Sequence, residues 1–344
     1  MAGEPSGDFI GSEIISELIK KNSNLKFDGV GGNFMENHEF SSIFPMSDLT
    51  VMGILPVLMK INKLLKRINQ VTEDILIKKP DLVIKKIIRS SISDLICKGV
   101  LPKFYFISGS GNEKTFSKKN LLKISKSLKY EQNKYKILLC GGDTTFSNKL
   151  SFSITSVGYS KNIVYRNKVK LNDDIYVTGN LGDSYVGLQI LQNKIKTTKK
   201  LKKYFIKKYF EPEIQIKLTR KLLKFANSSI DISDGLIDDL KKMINKQKLS
   251  YKILEEKIPI SNNLLNYLKK NNFKKTDFVS NGDDYQILFT ASADKSRIIS
   301  STSKNLGIKI SKIGKIGLNN KKSLIINQKG EHLLIKKQGY KHQF

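Results

Sequence analysis

The apolar positions of the first 84 residues follow two periods, one typical of helices and one typical of short strands. A loop rich in glycine and serine comes first, and apolar residues on one helical face follow it. Two strands and a second helix are predicted further along, with Pro80 ending that helix. This order is that of half a doubly wound α/β domain, without the strand that normally opens it. The predicted elements are the loop 2–8, the helix 9–19, the strand 25–32, the helix 56–79 and the strand 81–84.

From about residue 85 onward, strands and helices alternate in an order typical of an α+β domain. Several of the predicted strands end in glycine-rich or aspartate-bearing turns, which are the positions where binding groups commonly lie. A lysine-rich stretch retains apolar residues at helical spacing and is interpreted as a solvated helix. The predicted elements are helix 87–100, strand 103–108, helix 117–130, strand 135–140, strand 150–159, strand 175–178, helical stretch 196–226, a strand ending at Asp231, and strand 286–290.

The chain has 61 basic and 31 acidic side chains, a formal net charge of +30. Such a surplus can attract nucleic acid, membranes or phosphorylated small molecules. The lysines are scattered among Ile and Asn residues, which favours a coding bias, and no motif that reads RNA or DNA occurs. No stretch approaches the length of a membrane span, the start lacks a signal-peptide pattern, and Cys97 and Cys140 show neither disulfide nor metal spacing. We therefore expect a cytoplasmic protein without a nucleic-acid partner or stable membrane insertion.

Aspartates at strand ends and helix starts are the strongest chemical signal. Asp143 follows an apolar strand within Gly-Gly-Asp-Thr-Thr, where the glycines allow a phosphate to approach the backbone and the carboxylate can bind Mg²⁺. Asp231 is expected to end a strand, Ser233 to cap the next helix, and Asp234 to lie in the first turn of that helix. Each motif alone is more often ordinary turn or capping chemistry. Together they favour a metal and phosphate site.

Other polar groups carry weaker signals. Asp94, within a helical pattern, and the pair Asp283-Asp284, before a strand, are by themselves more often surface or turn residues. The opening Gly-Glu-Pro-Ser-Gly-Asp loop at residues 3–8 lacks the ending of a P-loop, so an anion site and a simple helix cap both stay open. The three histidines form no cluster in the sequence.

The second block resembles thiamine-monophosphate kinase over nearly its whole length. The resemblance is specific because several uncommon motifs occur in the family's order and spacing. The family transfers the γ-phosphate of ATP to thiamine monophosphate, using several Mg²⁺ ions and no covalent intermediate. The matching motifs are Ser-Ile-Ser-Asp-Leu (91–95), Gly-Gly-Asp-Thr-Thr (141–145), Asp-Asp-Ile-Tyr-Val-Thr-Gly-Asn-Leu-Gly-Asp-Ser (173–184), Ile-Asp-Ile-Ser-Asp-Gly-Leu (230–236), Asn-Gly-Asp-Asp-Tyr-Gln-Ile-Leu-Phe-Thr (281–290) and the closing Gly-Tyr-Lys-His-Gln-Phe.

This resemblance implies a role for each matching polar position. Two phosphorylated substrates bring many negative charges together, and metal ions with an arginine are the usual means of allowing in-line attack. The implied Mg²⁺ ligands are Asp94, Asp143, Asp231 and Asp234; the implied ATP contacts are Gly142, Arg166 and Ser233; and the implied thiamine contact is Asp283.

Three departures from the family pattern stand out. Asp283 occupies a position where the family usually has Glu, and Lys337 aligns with an aromatic residue that would pack on the substrate. The family's first segment, with a Gly-Asp-Asp-Ala-type motif and a Thr-Asp-bearing strand, has no counterpart in residues 1–84; Glu73-Asp74 is predicted mid-helix and is no substitute. We therefore expect an uncovered sheet edge, Mg²⁺-dependent ATP binding, and weak or absent phosphoryl transfer.

The first block instead resembles the start of lipid-A-disaccharide synthase, a membrane-associated glycosyltransferase that uses UDP-sugars. The resemblance stops before that family's sugar-nucleotide domain, and the join falls near Ile84–Lys86. The matching motifs are Ala-Gly-Glu-Pro-Ser-Gly-Asp (2–8), Gly-Val-Gly-Gly (29–32), Phe-Pro-Met-Ser-Asp-Leu-Thr-Val-Met-Gly-Ile (44–54) and Lys-Lys-Pro-Asp-Leu-Val-Ile (78–84).

The predicted fold class is α/β and α+β. Half of a doubly wound α/β domain (1–84) is joined to an incomplete two-layer α+β fold of the thiamine-monophosphate-kinase type, which is similar to aminoimidazole ribonucleotide synthetase. Within the latter we expect the rest of an ATP- and Mg²⁺-binding domain (85–160) and a C-terminal α+β domain (161–344).

The function predicted from these resemblances is ATP-dependent phosphorylation of thiamine monophosphate, with ATP and Mg²⁺ required and a homodimer expected from the family. Two alternatives stay open at this stage: a glycosyltransferase fragment related to lipid-A-disaccharide synthase, and a non-catalytic chimeric product.

Overall fold

The structure is a computed structural model that describes residues 5–21, 27–29, 33–38, 40–42, 79–244, 247–318 and 323–333. The chain divides into two compact units, Met1–Gln70 with His342–Phe344, and Val71–Lys341. The predicted helix at 56–79, the pair Glu73-Asp74, Lys337 and the closing motif at 339–344 all lie outside the described residues, apart from Lys79 itself.

The described part of the first unit is small. Its core consists of Ile15, Met35 and Phe40. The predicted opening helix is confirmed, but it begins at Pro5 rather than after the loop 2–8, since proline is well suited to the first turn of a helix. The elements are helix α1 (Pro5–Lys21), strand β1 (Asp28–Gly29), helix α2 (Asn33–Glu36) and strand β2 (Ser41–Ser42), with β1 and β2 parallel.

The first described element of the second unit is helix α3 (Pro80–Ile96), so the sequence-based prediction of a strand at 81–84 is wrong. Pro80 is the first residue of this helix, where its missing N–H would have no partner in any case. Four apolar residues spaced by four positions form one fully buried stripe of the helix, which a strand would have divided between two faces. They are Ile84, Ile88, Ile92 and Ile96.

Helix α3 packs on a four-stranded sheet, whose predicted strands are broadly confirmed. Strand β3 is central: β4 and β5 both pair with it in parallel along one edge, and β6 pairs with it antiparallel along the other. The elements are β3 (Pro102–Gly111), helix α4 (Lys118–Tyr135), β4 (Leu138–Gly141), β5 (Thr144–Phe146) and β6 (Ser151–Gly158).

The described part of the second unit also contains a six-stranded sheet with its connecting helices, and the strands of this sheet, whose ranges follow, lie in the order β12-β9-β11-β7-β10-β8. The elements are β7 (Asp174–Thr178), α5 (Asp183–Leu191), α6 (Lys199–Phe210), α7 (Thr219–Leu222), β8 (Ser228–Asp231), α8 (Leu236–Ile244), β9 (Leu249–Leu254), α9 (Asn262–Asn271), α10 (Thr276–Val279), β10 (Ile287–Ala291), α11 (Ser296–Leu306), β11 (Ile310–Leu318) and β12 (Leu324–Ile326).

The lysine-rich stretch 196–226 is not one helix as predicted. It is divided into α6 and the short α7, because Pro212 cannot continue the hydrogen-bond ladder after α6 ends at Phe210. The last side chain of α6, Phe210, is buried, while most of its lysines are exposed, as a solvated helix requires.

Helix α3 lies between the two sheets and joins them into one core. Its isoleucine stripe belongs to a buried cluster that contains Tyr105 from the four-stranded sheet and Tyr176 and Phe289 from the six-stranded sheet. Arg89, also on α3, is buried against Glu131 of α4, with nitrogen–oxygen distances of 2.9 and 2.7 Å. This helix therefore fixes both sheets relative to each other within the unit.

The predicted α+β class of the second block is confirmed by this arrangement of helices and sheets. None of the helices within the described ranges has the length and apolar character that crossing a bilayer requires.

Candidate functional site

Two of the predicted carboxylates meet at one cleft of ≈ 340 Å³. Asp94 reaches it from α3, and Asp231 reaches it from the carboxyl end of β8. Ser233, two residues after the end of that strand, lies at the same cleft. The predicted strand end at Asp231 is thus confirmed, and it explains how residues distant in sequence meet. The full lining is Ser90, Ser91, Asp94, Ile154, Asp231, Ser233 and Tyr285.

The Asp231 carboxyl is only 3 % exposed and has an unusual affinity for its proton. The pKa of Asp231 is raised to about 7, first by burial and then by the nearby charge of Asp94, while a hydrogen bond with Ser93 acts in the opposite direction. Desolvation also raises the pKa of Asp94, which Lys98 partly offsets. Two carboxyl groups that resist ionisation side by side indicate a place where a cation is favourable.

The turn after Asp231 is held by a different residue from the one that the sequence predicts. Helix α8 begins only at Leu236, so Asp234 precedes it and Ser233 is not its cap. The Oδ2 atom of Asp239 accepts the backbone N–H groups of Ser233, Asp234 and Gly235 at 3.0, 3.0 and 3.1 Å. The buried carboxylate of Asp239, in the first turn of α8, caps these N–H groups in place of the Ser233 hydroxyl, because a charged acceptor makes the stronger hydrogen bond.

Asp234 is engaged by Lys242 of α8. The Lys242 ammonium pairs with Asp234, and it also lies 3.2 Å from Asp238 and 2.8 Å from Asp239. Burial lowers the pKa of Lys242, but the hydrogen bonds with Asp234 and Asp239 outweigh it, so the pKa is raised overall. The three carboxylates are close enough to share a metal ion, but Asp234 is not among the residues that line the cleft of Asp94 and Asp231.

Asp143 lies in the exposed turn between β4 and β5. Its backbone carbonyl accepts the Gly109 N–H at 2.8 Å, and its Oδ1 accepts the Thr144 N–H at 2.7 Å. Gly142 must be glycine, because a Cβ there would lie 1.7 Å from the carbonyl oxygen of Ile107. Ile107 pairs across the sheet with Ile154, which lines the cleft, so the backbone of the turn that carries Asp143 is two strand spacings, about 10 Å, from the backbone of Ile154.

Arg166 lies in the segment that precedes β7. Its backbone carbonyl accepts a hydrogen bond from the hydroxyl of Ser228, at the start of β8. Its side chain is exposed and makes no ion pair among the described residues. Asp231 ends the same strand about 10 Å from Ser228. Arg166 is not among the residues that line the cleft, so the ATP contact implied for it stays a prediction.

Asp283 pairs with Lys86 of α3, whose ammonium lies 2.6 Å from its Oδ1 atom. Asp283 has a positive φ of 70°, and its N–H donates to the carbonyl of Ser233 at 2.9 Å. Tyr285, two residues on, lines the cleft of Asp94 and Asp231. The position implied to contact thiamine therefore lies beside this cleft.

Two family models match parts of the chain. The model described as lipid-A-disaccharide synthetase matches residues 1–90, and the one described as AIR synthase related protein, N-terminal domain, matches residues 57–160. The two matches overlap at 57–90, which includes the first part of α3.

Whole-chain comparisons decide the family. Thiamine-monophosphate kinase of Buchnera aphidicola subsp. Schizaphis graminum is 36% identical over 273 residues, covering 75% of this chain and 79% of the relative. The Aquifex aeolicus thiamine-monophosphate kinase is 31% identical over 215 residues, covering 61% of this chain and 69% of the relative. The chain belongs to the thiamine-monophosphate kinase family. A solved structure described as AaThiL complexed with AMPPCP and TMP has a TM-score of 0.66 at 28% identity, with 77% of this chain and 81% of that chain covered.

For this member of the thiamine-monophosphate kinase family, the structure brings together Asp94, Asp231 and Ser233 at one cleft and places Asp283 beside it, whereas Asp143, Gly142, Arg166 and Asp234 are not among the residues that line it. Sequence reasoning missed Asp239 and Lys242, which organise the turn after β8. The consecutive aspartates of the first turn of α8, with lysine three and four residues later, were a usable signal for this ion-pair group. The pairing of Lys86 with Asp283 had no such signal, because its partners are distant in sequence.

Proposed function

We propose that the chain catalyses transfer of the γ-phosphoryl group of ATP to thiamine monophosphate, giving thiamine diphosphate. The observation that carries this proposal is the meeting of Asp94, Asp231 and Ser233 at one cleft, in a chain of the thiamine-monophosphate kinase family. The complex of a related structure with AMPPCP and TMP supports ATP and thiamine monophosphate as the substrates.

The chemistry of the cleft fits Mg²⁺. Carboxylate oxygens are the ligands that Mg²⁺ prefers, and the buried Asp231 beside Asp94 gains from a cation that relieves their mutual repulsion. We propose Asp94 and Asp231 as ligands, with Asp143 and Asp234 joining them in the complex with ATP. Bound Mg²⁺ would neutralise phosphate oxygens and hold them in line for transfer.

The residues of this chain would bind and orient rather than abstract a proton. The acceptor is a phosphate oxygen that is largely ionised near neutral pH, so no general base is needed. Gly142 is proposed to contact ATP through its backbone in the turn that carries Asp143, and Ser233 lines the cleft. Arg166 is proposed to bind ATP and to balance the charge of its phosphates.

The test is formation of thiamine diphosphate at saturating ATP and Mg²⁺. Asp143→Asn should lower the rate by about 10²–10³, the usual effect of removing one electrostatic contributor. Asp294→Asn changes an exposed carboxylate that, within the described residues, pairs with its neighbour Lys295 at 3.1 Å and with no other cation, and it serves as the matched control. Equal rates for both variants would contradict the assignment.

We also propose that residues 1–84 have a different origin from the kinase block, with the join near Ile84–Lys86. The match of residues 1–90 to the lipid-A-disaccharide synthetase model supports this. The boundaries 85–160 and 161–344 divide the kinase block itself. Resequencing the gene across codons 80–90 tests the join: an interrupted or shifted reading frame there would show that the two blocks are not one gene product.

A homodimer is the proposed assembly. The four-stranded sheet exposes apolar side chains that a monomer would normally bury: Leu138 is 61% exposed and Phe146 is 79% exposed. We propose that this sheet face packs on a second copy. Sedimentation velocity of the protein and of Phe146→Lys tests the idea, and a monomer at all concentrations would contradict it. A cytoplasmic location, where ATP is supplied, is proposed with it and is tested by cell fractionation.

A further inference from the structure

A seam of buried polar contacts joins helix α3 and strand β8, the two elements that carry Asp94 and Asp231. The hydroxyl of Ser93 donates a hydrogen bond to the Asp231 carboxyl. Four residues further along, the backbone carbonyl of Cys97 accepts a hydrogen bond from the hydroxyl of Ser229. Ser93 is 2% exposed, Cys97 1% and Ser229 0%, so water does not replace these partners. The three residues are not among those that line the cleft.

The two contacts of the seam fix one register of helix against strand. Ser93 and Cys97 are four residues apart, so they lie on one face of α3. Ser229 and Asp231 are two residues apart, so they lie on one face of β8. Four helical residues rise about 6 Å and two strand residues about 6.6 Å, which allows both contacts to form together. A slip of either element along the other would break both contacts.

The Cys97 side chain extends the seam to the backbones of both carboxylate residues. Its thiol donates to the Asp94 carbonyl at 3.2 Å and has a hydrogen-bond contact with the backbone N–H of Asp231. The neighbouring residues Ile92 and Ile96 pack in the apolar core. Apolar packing holds a helix in place, but polar contacts that are satisfied in a single arrangement make that place unique. The seam therefore fixes Asp94 relative to Asp231 more closely than the core alone would.

The separation of Asp94 and Asp231 decides which ion fits between them. Mg²⁺ requires oxygen ligands at about 2.0–2.1 Å in a nearly octahedral arrangement, whereas Ca²⁺ accepts about 2.3–2.6 Å and a flexible arrangement. Across an ion held by two carboxylates, this difference amounts to roughly 0.5–1 Å. Packed helices can shift by about 1–2 Å, so selection between the two ions requires a helix that is held more firmly than that.

We propose that Ser93 and Ser229 are positioning residues that hold α3 against β8 and thereby make the site of Asp94 and Asp231 selective for Mg²⁺ over Ca²⁺. This inference rests on the proposed function, because it takes both carboxylates as Mg²⁺ ligands. The two serines act through these ligands and do not contact the ion. Removing such hydrogen-bond partners commonly changes metal affinity by about 10–100-fold.

Displacement of Mn²⁺ by Mg²⁺ or by Ca²⁺, followed by electron paramagnetic resonance without nucleotide, measures this selectivity in the full chain. Ser93→Ala and Ser229→Ala should each lower the ratio of Mg²⁺ affinity to Ca²⁺ affinity by about tenfold. Ser229→Thr keeps the hydroxyl and suits a strand, so it should keep the ratio. Ser127→Ala is the matched control, because this buried hydroxyl also holds α3, through the Asp81 carbonyl at 2.9 Å, but on the side of α4.

A purely structural role of the two serines predicts lower stability in urea unfolding with an unchanged ratio, and that result would overturn the proposal. An equal fall of the ratio in Ser229→Thr would do the same, because the hydroxyl would then not be its cause. If Ser93→Ala does not fold, Ser229→Ala gives the same test at a residue that is not bonded to either carboxylate. Absence of Mn²⁺ binding by the unmodified protein would also overturn the proposal.

The failure of this inference and the failure of the proposed function are separable. A lowered ratio in both alanine variants of a chain that forms no thiamine diphosphate would refute the proposed kinase activity alone. Formation of thiamine diphosphate with an unchanged ratio in both variants would refute this inference alone.

Discussion

Replacing Asp231 with asparagine should stabilise the metal-free protein at neutral and alkaline pH. The Asp231 carboxyl is buried beside Asp94, and burial raises its pKa from the ordinary 3.8 to about 7. A raised pKa for an acid means that ionisation is unfavourable in the folded state. The free energy of unfolding is therefore unaffected by Asp231 below about pH 4, where the carboxyl is protonated in both the folded and the unfolded chain. It falls as the pH rises from about 4 through 7, because ionisation then favours the unfolded chain.

The magnitude follows from the size of the pKa change. A rise from 3.8 to about 7 corresponds to about 4 kcal/mol of stability lost above pH 7. Between pH 5 and pH 8 the free energy of unfolding should fall by about 2–3 kcal/mol on account of Asp231. Asparagine does not ionise, so Asp231→Asn should escape this loss and keep the volume of the side chain.

Urea unfolding in the presence of EDTA at pH 5 and pH 8 measures the effect. The advantage of Asp231→Asn over the unmodified protein should increase with pH, whereas the exposed control Asp294→Asn should show no such increase. Adding Mg²⁺ at pH 8 should stabilise the unmodified protein and leave Asp231→Asn nearly unchanged. A difference between Asp231→Asn and the unmodified protein that is the same at both pH values would refute the reasoning.

Two further predictions concern packing and assembly. Arg89→Met alone should lower the free energy of unfolding by about 3–5 kcal/mol, because it leaves Glu131 buried without its partner, and the double change Arg89→Met with Glu131→Leu should recover most of that loss in chemical denaturation. Phe146→Lys should shift a homodimer to monomer in sedimentation velocity, because it places a charge in the exposed apolar face, whereas a lysine at the exposed but polar position Asn148 should not.

The sequence was a good guide where local pattern and tertiary structure agree. The strand at 174–178 is bounded by turn residues and buried on both faces, so its apolar run predicts it correctly. The segment 81–84 has a similar apolar run, but it continues at a spacing of four residues to Ile96 and lies between two sheets. Residues 81–84 are helical because the longer segment packs between two sheets, and an apolar run of four residues alone does not distinguish a helix from a strand.

The candidate site likewise contains some residues that the sequence predicts and others that it does not. Asp231 and Asp94 could be predicted because strand ends and helix turns place them by local rules together with the family resemblance. The group around Asp239 had a local signal that the prediction missed, whereas the pairing of Lys86 with Asp283 could not be predicted, because it depends on which side chains meet after the chain has folded. Sequence pattern reports which groups are available, and the fold determines their partners.

The most direct test of the account is the amount of thiamine diphosphate that the purified chain forms from ATP and thiamine monophosphate, with and without Mg²⁺. The account predicts slow formation that requires Mg²⁺ and falls by about 10²–10³ in Asp143→Asn. Bound ATP without any thiamine diphosphate, in a protein that melts cooperatively, would contradict it, and so would product formed equally well in the absence of Mg²⁺.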